Sequence, residues 1–218
     1  MQNNLVDKTV AYMKDKYHVD QHVKITIEKN IPIGAGLGGG SADVSATLRG
    51  LNKLWELGCT LKELEVDANA LGSDTLFCLY NRPAYVYGRG EYIEFLENPD
   101  IKNIYLFNPK IEISTKEVFN HYKIDKQHQN FDQLLAFYKM KAHYKFFKNA
   151  YNDLHKTAIC LYKNMKKYEK NVKKINKNAY MTGSGSTYFI VELFNDCKQI
   201  DKKLAKSKLK YIKTSPKN

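Results

Sequence analysis

An α+β chain in two lobes is what these 218 residues predict, on three observations. A strand-like run, Val23-Lys24-Ile25-Thr26-Ile27, leads through a glycine-rich loop into a helix whose Val44, Thr47 or Leu48, Leu51, and Leu54 or Trp55 recur at helical spacing. Thr60-Leu61-Lys62-Glu63 then forms a capping box and opens a second helix. No strand stands between the two, as a dinucleotide-binding βαβ unit would require. Finally, the stretch from Pro99-Asp100 to Pro109 punctuates the chain, setting a first domain, 1–108, against a second, 109–218.

Taken in order, Asn4-Leu5-Val6 opens a helix with Val6, Val10, Met13 and Tyr17 on one face. Val23–Ile27 alternates apolar and polar residues as a half-buried strand does. After the glycine loop and its helix, the capping box at Thr60 introduces Leu61, Leu64, Ala68 and Leu71, with Gly72 as C-cap. Ser73-Asp74 starts a short helical turn through Leu76-Phe77-Cys78. Tyr85-Val86-Tyr87 and Tyr92–Phe95 flank Gly88-Arg89-Gly90-Glu91 as a hairpin, and Asn103–Phe107 is a further strand.

Ser114-Thr115-Lys116-Glu117 is a second capping box, carrying Val118 and Phe119 into a helix. From Phe131 to about Lys174 the pattern is helical, with a break near Asn149–Asn152. Ala179–Thr182 and Tyr188–Val191 are strands around Gly183-Ser184-Gly185-Ser186. Lys202–Lys208 reads as a helix, and Tyr211-Ile212 as an edge strand.

Composition narrows the function classes. Hydrophobic content of 43% with 27% charged residues is that of a globular chain rather than a disordered one. No apolar run approaches a membrane span of roughly 20 residues, and the N-terminus lacks the apolar core of a signal peptide. The expectation is a cytoplasmic protein with no membrane partner. Cys59, Cys78, Cys160 and Cys197 are widely separated and read as reduced; neither they nor the six histidines show metal-ligand spacing. The net charge of +12 raises nucleic acid as a partner, but all but three of the 35 basic residues are lysine, the exceptions being Arg49, Arg82 and Arg89. Lysine spread over helix surfaces is commonly a solvated face, and a field favouring an anionic nucleotide accounts for the excess without nucleic acid.

The chemistry concentrates at Pro32-Ile33-Gly34-Ala35-Gly36-Leu37-Gly38-Gly39-Gly40-Ser41-Ala42. Glycines let the backbone curl so that successive N–H groups converge on an anion, and a helix start adds unpaired donors and a positive dipole end. A phosphate site follows, against the plain alternative of a flexible turn. Gly34-Ala35-Gly36-Leu37-Gly38-Gly39 satisfies G-x-G-x-x-G, but the missing second strand argues against a Rossmann unit. A Walker A loop would place lysine where Gly40 stands.

Pro32–Ala42 instead resembles the second motif of the GHMP kinases, the superfamily of galactokinase, homoserine kinase, mevalonate kinase and phosphomevalonate kinase. Glu28-Lys29-Asn30-Ile31-Pro32, Gly36–Ser41 and Leu48-Arg49-Gly50-Leu51-Asn52 are most similar to its 4-diphosphocytidyl-2-C-methyl-D-erythritol kinase family. Leu71-Gly72-Ser73-Asp74 and the third motif, Met181–Thr187, follow in the expected order.

The resemblance implies a two-lobed GHMP kinase fold. It also implies transfer of the γ-phosphate of ATP, with Mg²⁺, to the 2-hydroxyl of the cytidyl substrate in non-mevalonate isoprenoid (terpenoid) synthesis. Asp74 would accept or orient the hydroxyl proton, an assignment weighed against a simple helix cap. Pro32–Ala42 together with Gly183, Ser184, Gly185 and Ser186 would bind the ATP phosphates. Ser41 would touch phosphate or metal unless it is the N-cap, and Thr115 and Phe119 would meet the substrate unless Phe119 is core. Lys29 borders the adenine pocket in the family, though an exposed lysine serves as well.

The match begins inside the family's first domain, since neither its upstream Pro-x-Lys-Ile-Asn motif nor its Asp-Gly-Tyr-His turn occurs here. An N-terminally truncated first domain is therefore expected. Two rival functions stay open: an inactive remnant that still binds nucleotide, and a GHMP kinase for another alcohol. The expected partner is a small nucleotide-linked molecule, and the chain a monomer or homodimer.

Overall fold

The computed structural model describes residues 4–124, 131–194 and 198–216. Two compact units divide it: Met1–Asn30 with Gly38–Glu97, and Ile31–Leu37 with Asn98–Asn218.

The first unit is mainly helical. It contains α1 (Leu5–Tyr17), α2 (Gly39–Leu54), α3 (Leu64–Leu71), α4 (Thr75–Tyr80) and the hairpin β1 (Ala84–Tyr87) and β2 (Tyr92–Phe95). Asn4 caps α1, its side chain accepting the Val6 N–H at 3.2 Å. The apolar faces of the helices meet in a core of Met13, Leu48, Leu51, Leu64 and Leu76. Asp67, fully buried on α3, ties α1 down: it accepts from the Tyr12 hydroxyl at 2.9 Å and the Tyr17 hydroxyl at 2.7 Å, and pairs with Lys16. Burial, then the bond to Asp67, pushes the Tyr12 hydroxyl up to about 12.

The Thr60 capping box closes as expected, with the Thr60 N–H 2.8 Å from Glu63 Oε2 and the Glu63 N–H 3.3 Å from Thr60 Oγ1. The hairpin pairs Tyr87 with Tyr92 around the glycine turn. One expectation fails. Val23–Ile27 forms no strand, because no backbone among the described residues lies alongside to complete its hydrogen bonds. Alternation records which face is apolar, not whether a neighbouring strand exists.

The second unit holds a sheet and its helices: β3 (Ile101–Phe107), α5 (Thr115–His121), α6 (Phe131–Lys139), α7 (His143–Asn149), α8 (Leu154–Leu161), α9 (Asn164–Ile175), β4 (Tyr180–Met181), β5 (Tyr188–Leu193), α10 (Lys198–Ala205) and β6 (Ile212–Thr214). The antiparallel order is β4-β5-β3-β6, with Ile104 opposite Val191 and Leu106 opposite Phe189. Tyr105, Phe107, Tyr188 and Ile190 pack with Met165 and Val172 in the core. Buried Glu192 accepts from Tyr105 Oη at 2.9 Å and Asn103 Nδ2 at 2.6 Å, as a carboxylate inside a core requires.

The helical stretch from Phe131 breaks at Asn149–Asn152 as expected, and twice more. Lys141 in the left-handed conformation (φ 58°) ends α6, and a turn before Asn164 separates α8 from α9. Cys59, Cys78 and Cys160 are free thiols; Cys197 lies outside the described residues. Among the described residues no helix is long and apolar enough to cross a membrane.

Candidate functional site

In the first unit the site begins where α2 begins. Gly38 (φ 66°) caps the helix without a side chain, and its carbonyl takes the Ala42 N–H at 3.0 Å. The N–H groups of Gly39, Gly40 and Ser41 have no acceptor among the described residues, the ordinary condition of a first helical turn and the one that suits an anion. Ser41 is thus not the N-cap but a first-turn residue, with no hydrogen bond to its hydroxyl among the described residues. Lys29 pairs with Asp43 on the same helix.

Asp74 is placed by the same helix. One turn after Ser41, the Ser45 hydroxyl lies 2.9 Å from the Ser41 carbonyl and 2.8 Å from the Thr75 carbonyl, which fixes the start of α4. A further turn on, Arg49 Nη1 reaches the Cys78 and Leu79 carbonyls at 3.2 and 2.9 Å and holds the other end, where a cation also complements the helix dipole. Both ends of α4 are clamped by α2.

Asp74, immediately before α4, is exposed; its side chain makes no capping bond and no other hydrogen bond among the described residues. The cap role open to it in the sequence is left unfilled. From the other side comes the hairpin turn, where Gly90 (φ 114°) approaches so closely that a Cβ would stand 2.0 Å from the Ser73 carbonyl oxygen. Burial pushes the Cys78 thiol up, the Asp74 charge adds to this, and Arg49 opposes it.

In the second unit Ile31–Leu37 packs against the third motif. A Cβ on Gly36 would lie 2.3 Å from the Thr182 carbonyl oxygen, so only glycine fits. Thr182 Oγ1 donates to the Gly36 carbonyl at 2.9 Å, the Thr187 N–H to the Ala35 carbonyl at 3.2 Å, and the Ile113 N–H to the Gly34 carbonyl at 3.2 Å. Pro32 and Ile33 remain exposed, while Leu37 is half-buried.

The side chains of the third motif are engaged, while the N–H groups of Gly183, Ser184 and Ser186 have no acceptor among the described residues. The Gly183 carbonyl accepts from Asn152 Nδ2 at 2.8 Å, Ser184 Oγ meets Thr115 Oγ1 at 2.8 Å, and buried Ser186 donates to the Ile111 carbonyl. The Gly185 N–H donates to the Thr182 carbonyl at 2.9 Å and closes the turn. Of the residues expected to meet substrate, Thr115 therefore comes together with Ser184, while Phe119 on the same helix is 58% exposed and Val118 takes the core position instead. Sequence reasoning did not single out Ser45, Asn152 or the close approach of Gly90. Ser45 had a signal, standing one helical turn from Ser41; Asn152 had only its place in the break between helices.

The helix-headed glycine loop, the clamped aspartate and the second glycine turn inside an antiparallel sheet are the parts of a GHMP kinase fold. Residues 4–82 match the family described as the GHMP kinases N terminal domain. The chain is 38% identical over 191 residues to a 4-diphosphocytidyl-2-C-methyl-D-erythritol kinase of Bacillus cytotoxicus, covering 86% of this chain and 66% of that protein. It is 37% identical over 190 residues to the kinase of the same name from Bacillus cereus, with the same coverage. The chain thus spans 66% of the length of the curated relatives it matches. Among solved structures, a 4-(cytidine 5'-diphospho)-2C-methyl-D-erythritol kinase superposes with a TM-score of 0.74 at 24% identity, covering 96% of this chain and 77% of that one. The Methanococcus jannaschii mevalonate kinase gives 0.64 at 15% identity, covering 98% and 75%. At these identities both structures speak to the fold.

Proposed function

We propose that this chain carries the phosphoryl-transfer machinery of a 4-diphosphocytidyl-2-C-methyl-D-erythritol kinase, moving the γ-phosphate of ATP to the substrate's 2-hydroxyl in non-mevalonate isoprenoid synthesis. The observation that carries this proposal is the Asp74 carboxylate, exposed and without a hydrogen-bond partner among the described residues, fixed through Thr75 and Ser45 to the helix whose first turn offers free N–H groups. The names and identities of the Bacillus relatives support the choice of substrate.

In the proposed reaction the N–H groups of Gly39, Gly40 and Ser41, at the positive end of α2, hold the terminal phosphates of ATP. Asp74 accepts the proton of the attacking hydroxyl as the new O–P bond forms and the bond to the ADP oxygen breaks. Among the described residues no cluster of three His, Cys, Asp or Glu could hold a metal. That donor set still fits Mg²⁺, which takes most of its ligands from phosphate and water and needs few from protein. The Ser41 hydroxyl, without a protein partner among the described residues, is the group that would join them. The ion, when bound, neutralises phosphate charge. Gly34, Ala35 and Gly36 hold the loop's backbone in place, and Thr115 and Phe119 are the proposed substrate contacts, the exposed ring offering a face to the cytosine base.

The test is ADP release with the cytidyl diphosphate substrate, homoserine and mevalonate compared side by side, together with calorimetric ATP binding. The cytidyl substrate is expected to be turned over preferentially. Asp74→Asn is expected to lower turnover by about 10²–10⁴-fold while leaving ATP affinity nearly unchanged. Preference for another alcohol would reassign the substrate. ATP binding without turnover of any of the three would favour the remnant, and normal turnover by Asp74→Asn would remove that residue from the reaction.

A further inference from the structure

In the second unit, α9 and its flanks carry Lys163, Lys166, Lys167, Lys170, Lys173, Lys174 and Lys177, every one of them exposed. Steps of three, four and seven residues place all of them on one side of the helix, in a stripe about 20 Å long. The opposite side is sealed, with Met165 and Val172 fully buried and Ile175 nearly so. α9 holds one acid, Glu169, which is buried and pairs with His155 at 3.0 Å and with Lys173. Lys163, Lys166, Lys167, Lys170 and Lys177 make no ion pair among the described residues.

This placement works against the helix that bears it. Like charges three and four residues apart repel one another. Lys166 and Lys167 stand in the first turn, where the helix dipole disfavours a cation and no acid offsets them. Lysines scattered over a surface call for no occupant, but a concentration of this kind is relieved by anions from outside the chain. The stripe is also held in place: Lys203 Nζ donates to the Ile175 carbonyl at 3.1 Å and fastens α10 to the last turn of α9.

We propose that the lysine stripe of α9 is a docking surface for nucleic acid, held by the sugar-phosphate backbone of a duplex without regard to its sequence. The chemistry of the face selects this occupant. Backbone recognition needs cations and hydrogen-bond donors, and Asn164 and Asn171 add amides along one border of the stripe. A protein partner is anchored by aromatic or arginine side chains, whereas α9 has no arginine and exposes no large apolar residue. A lipid surface takes up an apolar helix face, and the one α9 possesses lies inside the core. Lysine meets phosphate as a point charge, without the planar fork with which arginine reads a guanine edge, so the contact is indifferent to sequence.

Fluorescence anisotropy with a labelled DNA duplex of arbitrary sequence, titrated over a range of salt, tests the proposal. A dissociation constant of about 10⁻⁴–10⁻⁶ M is expected near physiological salt, with log K falling against log salt at a slope of about −4 to −5. Lys163→Gln, Lys166→Gln, Lys167→Gln and Lys170→Gln combined should weaken binding by about 10²-fold at low salt and flatten the slope by about 3–4. Because these changes remove repulsion from an exposed face, the quadruple variant should keep its helical circular dichroism. A control removes the same charge elsewhere: Lys8→Gln, Lys53→Gln, Lys123→Gln and Lys148→Gln combined, all exposed and outside α9, should change affinity by no more than about threefold. Equal losses in the two quadruple variants overturn the proposal, since net charge alone would then account for binding. So does the absence of salt-dependent duplex binding by the intact chain, including the case in which it sediments with phosphatidylserine vesicles instead.

Discussion

The two units treat the side chains of their glycine-rich segments in opposite ways. At the head of α2 in the first unit, the N–H groups of Gly39, Gly40 and Ser41 and the Asp74 carboxylate are left without hydrogen-bond partners among the described residues. In the second unit Thr115 meets Ser184, Ser186 reaches Ile111, and Asn152 holds Gly183. Both segments keep backbone N–H donors available among the described residues, but the second also uses its side chains to hold a tight backbone crossing. A glycine motif alone does not distinguish these uses. The partners of the residues around it do.

Substitutions can sharpen or break this contrast. The largest expected effect on turnover, after loss of the carboxylate itself, comes from Gly90→Ala. A Cβ there collides with the Ser73 backbone and displaces Asp74, so kcat should fall by about 10²-fold with ATP affinity retained. Steady-state kinetics beside calorimetry would separate the two quantities. Gly36→Ala should act on folding instead, because its Cβ meets the Thr182 carbonyl oxygen and its φ of 70° strains alanine; a loss of about 3 kcal/mol in urea unfolding is expected.

Ser186→Ala removes the donor to the buried Ile111 carbonyl and should cost about 1–2 kcal/mol in the same measurement without changing ATP affinity. Ser41→Ala should do the reverse, weakening ATP binding by up to about tenfold, the worth of one charge-assisted hydrogen bond, while leaving the unfolding midpoint nearly unchanged. If Ser186→Ala instead weakened ATP and Ser41→Ala unfolded the protein, the contrast between the two segments would be reversed.

Much of this was legible before any coordinates. Val6, Val10, Met13 and Tyr17 marked α1, and the Thr60 box, the Tyr87–Tyr92 hairpin and the strands around Gly183–Ser186 all form. These features depend on local periodicity and turn chemistry. What stayed hidden depends on distant partners. Ser114 caps α5 by accepting the Glu117 N–H, but the Glu117 carboxylate turns to the Tyr162 hydroxyl instead of completing the box. Gly36 owes its need for glycine to Thr182, far along the chain. Val23–Ile27 alternates as a strand does, yet alternation could not supply the neighbouring backbone. The order of the motifs foretold which residues to examine, but not that Ser186 would be sealed in the interior.

The double attachment of α4 gives the first unit a mechanical property. A six-residue helix gripped near its start by Ser45 and near its end by Arg49 has little freedom to tilt on its own. Any shift of α2 carries α4 with it, and Asp74 rides along. Seating a triphosphate on the leading turn of α2 and aiming the carboxylate then become a single movement of one rigid piece, with no hinge in between to be timed separately.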